Sequence, residues 1–126
     1  MNEKLMFCET CGKLISVFSQ DQIPTSCCGQ DMEEIHANTV DASLEKHVPV
    51  YNVDASNNTI LVEVGEVLHP TEAEHHIMWI ALVSGNTTTK VSLNPGDAPK
   101  AKFEYAKGST IYAYCDIHGL WKKEVE

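Results

Sequence analysis

Residues 77–93, IMWIALVSGNTTTKVSL, indicate how most of the chain folds. The first seven, 77–83, are apolar enough to form a buried strand, and the SGN at 84–86 ends that strand with a turn. Residues 87–93 are rich in Thr and Val, and β-branched side chains favour strands. The stretch therefore predicts two strands joined by a short turn.

The surrounding sequence repeats this alternation of short strands and turn signals. Five further strands are predicted, at residues 48–53, 59–64, 101–105, 110–115 and 120–125. No stretch has strong helical periodicity. About seven short strands with frequent turns predict an all-β fold, a seven-stranded antiparallel β-sandwich of immunoglobulin-like type.

The first part of the chain has a different composition. Residues 1–36 hold four of the five cysteines but few large apolar side chains, which is too little to pack a free-standing core. A bound metal would have to stabilise this piece. We therefore expect two domains in the 126 residues, a small metal-stapled domain at 1–36 and the sandwich at 37–126.

Charge and hydropathy exclude several classes of partner. The formal net charge of −9 argues against nucleic acid, because a nucleic-acid binder needs a basic surface. No apolar run is long enough to cross a bilayer, and the first residues lack the apolar stretch of a signal peptide. We expect a cytoplasmic protein without a membrane partner.

The amino-terminal cysteines have the spacing of a metal site. Cys8 and Cys11 form a CxxC knuckle, and Cys27 and Cys28 are adjacent. Four thiolates suit a tetrahedral zinc or single iron ion, and a structural zinc ribbon is the simplest alternative. Ribbons generally use two CxxC knuckles, however. Adjacent side chains on an extended strand point to opposite sides, so Cys27 and Cys28 can share an ion only if the backbone is distorted.

A second candidate metal site combines histidines with the fifth cysteine. Its candidate residues lie at predicted strand ends: His47, His69, His75, Cys115 and His118. Imidazole suits iron, zinc and copper, and a thiolate favours a soft or redox-active ion. These types of residue indicate a redox metal with a position left for a small substrate. Lys46, next to His47, could attract an anion locally; without that flanking histidine, Lys46 and Glu45 would be interpreted as ordinary solvated loop charges.

The sequence resembles desulfoferrodoxin, the two-iron form of superoxide reductase, over nearly its whole length. Cys8, Cys11 and Cys27-Cys28-Gly29 match the family's desulforedoxin-like segment. The catalytic-domain motifs follow in order as Ala37 to Asp41, Glu45 to Pro49, His69-Pro70 with His75, and Cys115 with His118-Gly119. The sequence departs from the expected pattern at Thr71, His76 and Met78.

This resemblance implies a function and a role for each candidate residue. The first iron is expected at Cys8, Cys11, Cys27 and Cys28, and the catalytic iron at His47, His69, His75, Cys115 and His118. Lys46 is expected to attract superoxide, and Glu45 to bind the oxidised resting metal. The spacing from His69 favours His75 over His76 as a ligand. The family also implies reduction of superoxide to hydrogen peroxide, a homodimer and rubredoxin-like electron donors.

Three alternatives remain at this level. A cupredoxin-like electron-transfer protein would use Cys115 and His118 with an upstream histidine, but no Met follows shortly after His118. A zinc-stabilised binding module would have no redox activity. A superoxide dismutase would share the iron chemistry but would need no electron donor.

Overall fold

The computed structural model describes residues 4–18, 25–38, 47–65, 71–72 and 75–126. The chain divides into two compact units, Met1–His36 and Ala37–Glu126. The described residues form thirteen β-strands, all paired antiparallel, and the fold is all-β, as predicted. Among those residues, no helix has the length and apolar character needed to cross a membrane.

The first unit consists of two small sheets. In one, β1 (Lys4–Phe7) lies between β2 (Leu14–Val17) and β5 (Glu33–Glu34). In the other, β3 (Ser26–Cys27) pairs with β4 (Gln30–Asp31). Strands this short contribute few ladder hydrogen bonds, so the unit depends on its turns and side chains for stability.

Little apolar surface is buried in this unit. Of its described residues, Leu5, Cys8 and Met32 are buried, and Phe18 is largely exposed. Three buried side chains, one of them a thiol, do not offset the entropy of ordering some thirty residues. This agrees with the expectation that a metal stabilises the unit.

The second unit is a two-sheet sandwich. One sheet has the strand order β10 (Thr87–Ser92), β9 (His75–Ser84), β12 (Thr110–Cys115) and β13 (Gly119–Glu124), with the short β8 (Thr71–Glu72) paired to the start of β9. The other has the order β11 (Lys100–Glu104), β7 (Thr59–Val64) and β6 (Pro49–Asp54). All seven predicted strands are present, and β8 is an addition.

The core between the two sheets follows from period-two alternation along the strands. In β7, Ile60, Val62 and Val64 are completely buried and alternate with partly exposed residues, and Ala101 and Phe103 alternate in the same way in β11. The facing sheet contributes Ile77, Ile80, Leu82, Ile111, Ala113 and Cys115. Cys115 is therefore both a core residue and the end of a strand.

A β-bulge interrupts the pairing of β9 with β12. Tyr114 pairs with Trp79, but the next residue, Cys115, pairs with Ile77, so Met78 is skipped. A bulge inserts one residue and reverses the facing of every side chain beyond it. Ile77 consequently faces the core beside Cys115 and is 2% exposed, whereas Met78 is 39% exposed.

Candidate metal centres

Among the described residues, two groups of side chains could hold a metal ion. The first consists of Cys8, Cys11, Cys27 and Cys28, whose sulfur atoms all lie within 4.8 Å of one another. Cys11 Sγ lies 3.6 Å from Cys27 Sγ, and Cys27 Sγ lies 3.8 Å from Cys28 Sγ. All four thiols are free of disulfides, so each is available as a thiolate ligand.

The adjacent cysteines converge because a tight turn separates them from the returning strand. Cys27 pairs with Gln30, which leaves Cys28 and Gly29 as a two-residue hairpin loop. Cys28 has φ 53° and Gly29 has φ 75°, the positive values that a type I′ turn requires at both central residues. Positive φ is costly for a non-glycine residue such as Cys28. This turn supplies the backbone distortion that two adjacent ligands need.

The thiols influence one another's protonation. A hydrogen bond from the backbone N–H of Cys11 is the main cause that lowers the pKa of Cys8 to about 7. Hydrogen bonding with the Cys11 side chain is the main cause that raises the pKa of Cys27 to about 12. A metal ion would therefore meet a cluster in which Cys8 is readily deprotonated and Cys27 must give up a firmly held proton.

The second group brings together three separate parts of the sandwich. His47 precedes β6, His75 is the first residue of β9, and Cys115 and His118 flank the turn between β12 and β13. His47 and Cys115 are buried, at 2% and 0% exposure, whereas His75 and His118 are half-buried. The group thus lies at one end of the sandwich, with one side in the core and the other toward solvent.

The donor atoms of this group face a common point. His118 Nδ1 lies 3.0 Å from His47 Nε2 and 3.9 Å from Cys115 Sγ. The ring centroids of His75 and His118 are 5.0 Å apart, with an interplanar angle of 72°. All four donor atoms lie within 4.8 Å of one another. Ligands bound at about 2.0–2.3 Å to one ion are at most about 4.6 Å apart, so the four donors need little movement to share a metal.

The bulge in β9 selects which of the two adjacent histidines joins the group. His75 has the same facing as Ile77 and Cys115, toward the core, and His76 faces the other way. Without the bulge at Met78, the facing of both histidines would be reversed. His76 instead contacts Asp116 and lies outside the group, as does the exposed His36.

Trp121 contacts two members of the group, His47 and His118. Its ring is completely buried and stacks on His47, with centroids 5.0 Å apart and an interplanar angle of 26°. Its indole Nε1–H donates a hydrogen bond of 3.2 Å to the carbonyl oxygen of His118. One core side chain therefore holds a ring and a backbone segment that are far apart in sequence.

The environment of the Cys115 sulfur is mixed. Burial is the main cause that raises the pKa of this thiol, and backbone hydrogen bonds from His118 and Ile117 oppose that effect. The His118 N–H donates to the sulfur at 3.4 Å. Burial disfavours an isolated thiolate, while the directed N–H groups and a cation would favour one. The donor set thus suits a metal–thiolate bond.

Both donor sets fit iron. Four thiolates suit a single iron or zinc ion, and three imidazoles with one thiolate suit a redox-active transition metal. The predicted residues Glu45, Lys46 and His69 lie outside the described residues, so the structure does not test their placement.

Sequence reasoning did not identify two residues that lie against this group, Trp121 and Asp116. Trp121 reads as an ordinary buried aromatic of a strand, and its contact with His47 depends on the tertiary fold. Asp116 offered a signal, since it is a carboxylate placed directly between Cys115 and His118.

Comparison with known proteins places the chain in a family. The desulfoferrodoxin family model matches residues 39–124. The chain belongs to the desulfoferrodoxin family. It is 42% identical to a desulfoferrodoxin from Syntrophotalea carbinolica over 127 aligned residues, covering 98% of this chain and 99% of the relative. It is 43% identical to a desulfoferrodoxin homolog from Methanothermobacter thermautotrophicus, covering 90% and 92%.

A solved structure of similar extent is also known. The crystal structure of the superoxide reductase from Treponema pallidum superposes with a TM-score of 0.71 at 28% identity, covering 94% of this chain and 98% of that one. The cupredoxin-like alternative is not supported. A blue-copper site uses two histidines and a cysteine, whereas three imidazoles converge on Cys115 here.

Proposed function

We propose that the chain is a superoxide reductase, which reduces superoxide to hydrogen peroxide with electrons from an external donor. The observation that carries the proposal is the convergence of His47, His75, His118 and Cys115 at one end of a desulfoferrodoxin-family sandwich. The two groups of donors match the two iron sites of desulfoferrodoxin-type superoxide reductases. The cofactors are accordingly two mononuclear irons per chain.

In each turnover, one superoxide takes up one electron and two protons and becomes one hydrogen peroxide. Iron held by the histidine–cysteine group supplies the one-electron step when bound. Cys115 would supply a metal held there with a strongly donating thiolate ligand, which favours electron donation. The N–H group of His118, 3.4 Å from that sulfur, moderates the donation.

Three residues outside the described part of the chain complete the proposal. His69 is the fourth imidazole ligand, since the family pattern includes it in the expected position relative to His75. Lys46, next to His47 in the sequence, provides a local positive charge that attracts superoxide despite the net charge of −9. Glu45 binds the oxidised resting metal when no substrate is present.

The two units have different roles in this proposal. Residues 37–126 form the catalytic domain, and residues 1–36 hold the four-cysteine iron. We further propose that the protein is a cytoplasmic homodimer whose electron donor is rubredoxin-like, and that it acts in oxidative-stress defence. The reducing cytoplasm suits five free thiols.

Metal analysis and the yield of peroxide test the function. The purified chain is expected to contain iron at both sites and, with a reductant present, to form about one peroxide per superoxide consumed, as one-electron reduction requires. About half a peroxide per superoxide would indicate dismutation instead. Zinc at both sites and no response to reductant would contradict the proposal and favour a structural module.

A further inference from the structure

His76 and Asp116 form a pair on the side of the metal group that faces away from the core. The backbone N–H of His76 donates to Asp116 Oδ1 at 2.9 Å, and the backbone N–H of Asp116 donates to the His76 carbonyl oxygen at 3.2 Å. In addition, His76 Nδ1 lies 3.4 Å from Asp116 Oδ2. Three contacts therefore join the two residues.

Each residue of the pair is the sequence neighbour of a proposed metal ligand. His76 directly follows the proposed ligand His75, and Asp116 directly follows the proposed ligand Cys115. The contacts lie just beyond the bulge, after the last regular pair of β9 and β12, Ile77 with Cys115. A carboxylate thus continues the connection between the two strands where the regular ladder ends.

The carboxylate also lies close to the ligand sulfur. Asp116 Oδ1 is 4.0 Å from Cys115 Sγ. The Asp116 side chain is 22% exposed, so water screens its charge only in part. A negative charge at this distance adds to that of a thiolate and favours the more highly charged, oxidised form of a bound metal.

We propose that Asp116 and His76 are positioning residues that hold His75 and Cys115 at the separation metal binding needs, and that the Asp116 charge lowers the reduction potential of the bound iron. The inference rests on the proposed function. Neither residue is a ligand or contacts substrate.

Two substitutions separate the mechanical effect from the electrostatic one. Asp116→Asn retains an oxygen that accepts the His76 N–H but removes the charge. Asp116→Ala removes both the acceptor and the charge. Asp97→Ala is the matched control, because Asp97 accepts a backbone hydrogen bond of 2.8 Å from Asn94 in a turn of the same unit.

The measurements use the full-length, iron-loaded chain. At the histidine–cysteine site, they are the retention of iron against a chelator, the thiolate-to-iron charge-transfer band and the reduction potential. Asp116→Ala should weaken iron retention about ten- to a hundredfold, as loss of an outer partner of a ligand does. Asp116→Asn should retain iron within about threefold of the unsubstituted chain but shift the band and raise the potential. Asp97→Ala should change none of these.

The outcomes distinguish this inference from the proposed function. An unsubstituted chain that lacks the charge-transfer band and forms no peroxide overturns the function. The proposed role of the Asp116–His76 pair alone is overturned by a different result. In that result the unsubstituted chain has both properties, and the Asp116 variants match it in iron retention, charge-transfer band and reduction potential. If Asp116→Ala does not fold, as judged by circular dichroism, an unchanged potential in Asp116→Asn still overturns the electrostatic role. Asp116→Leu, which has a similar volume but cannot accept the His76 N–H, then tests the mechanical role, and iron retention within about threefold of the unsubstituted chain overturns it.

Discussion

The four-cysteine group and the histidine–cysteine group hold their donor atoms in opposite ways. In the first unit, two tight turns carry all four thiols, and Cys11 and Cys28 are exposed. Besides Cys8, the buried residues among the described part of this unit are Leu5 and Met32. In the sandwich, Cys115 belongs to a core cluster of twelve buried residues. The first site therefore needs its metal to hold the backbone, whereas a folded core holds the second.

Metal removal should produce the largest difference in stability between the two units. In the metal-free chain, residues 4–36 should lose hydrogen-exchange protection, because structural metal binding to a domain this small contributes roughly 10 kcal/mol or more. Strands β7, β9 and β12 should stay protected. Cys11→Ser should reproduce the loss in the first unit, and Cys115→Ser should not. Retained protection of Leu5 without metal would show that the first unit folds unaided.

Loss of one imidazole should abolish activity without unfolding the sandwich. His118→Ala should lower the rate of superoxide reduction by at least about a hundredfold, since losing a ligand exceeds the effect of losing an outer partner. The exposed His36 provides the control, His36→Ala, with an unchanged rate. Stopped-flow kinetics and near-ultraviolet circular dichroism measure the two properties. A rate within twofold of the unsubstituted chain would exclude His118 as a ligand.

Substitution of Lys46 should change the rate of encounter with superoxide. Lys46→Ala should slow the second-order reaction by about tenfold at low salt, because a local positive charge steers an anion to its site. The dependence on ionic strength should flatten, since less attraction remains to be screened. Lys107→Ala is the control, because Lys107 lies in the turn that precedes β12, at the opposite end of that strand from Cys115. Equal salt dependence in both variants would remove Lys46 from steering.

Proton release on metal binding should differ between the two cysteines that are buried. Burial raises the pKa of Cys115, so at pH 8 this thiol is protonated and must release about one proton when a metal binds. Cys8, with its pKa lowered to about 7, is largely deprotonated at that pH and releases much less. Because a proton competes with the metal at Cys115, affinity there should rise about tenfold per pH unit between pH 7 and 8.

Zinc titration of the metal-free chain with a pH indicator measures this release. Cys115→Ser should lower the total by about one proton per chain, and Cys8→Ser by a smaller amount. Equal decreases in the two variants would contradict the difference in thiol environment.

Substitution of Trp121 should have the smallest effect. Trp121→Phe keeps an aromatic ring against His47 but removes the N–H that the His118 carbonyl accepts. The free energy of unfolding should fall by about 1 kcal/mol, and iron retention should weaken with it. Trp79→Phe, which alters the stack on Tyr114, should leave iron retention unchanged. Urea unfolding and chelator competition test both variants.

The sequence by itself determined the strands and the chemical types of the donors. Alternation in residues 59–64 and the apolar run at 77–83 predict strands because side chains on a strand alternate between its two faces. The CxxC spacing of Cys8 and Cys11 is local, so the knuckle is evident without a fold. The motif resemblance added iron and superoxide as expectations, and the comparison with known proteins confirmed the family.

Only the tertiary structure decided how the donors converge. Whether His75 or His76 faces Cys115 depends on the bulge at Met78, which no local pattern in β9 indicates. Cys27 and Cys28 can share one ion because of a positive φ at Cys28, a conformation imposed by the pairing of two short strands. The contact between β9 and the Cys115 turn through Asp116 has the same origin. The bulge and the Asp116 contact depend on the register of β9, which long-range packing sets, whereas the register of the β3–β4 hairpin is set by its own two-residue turn.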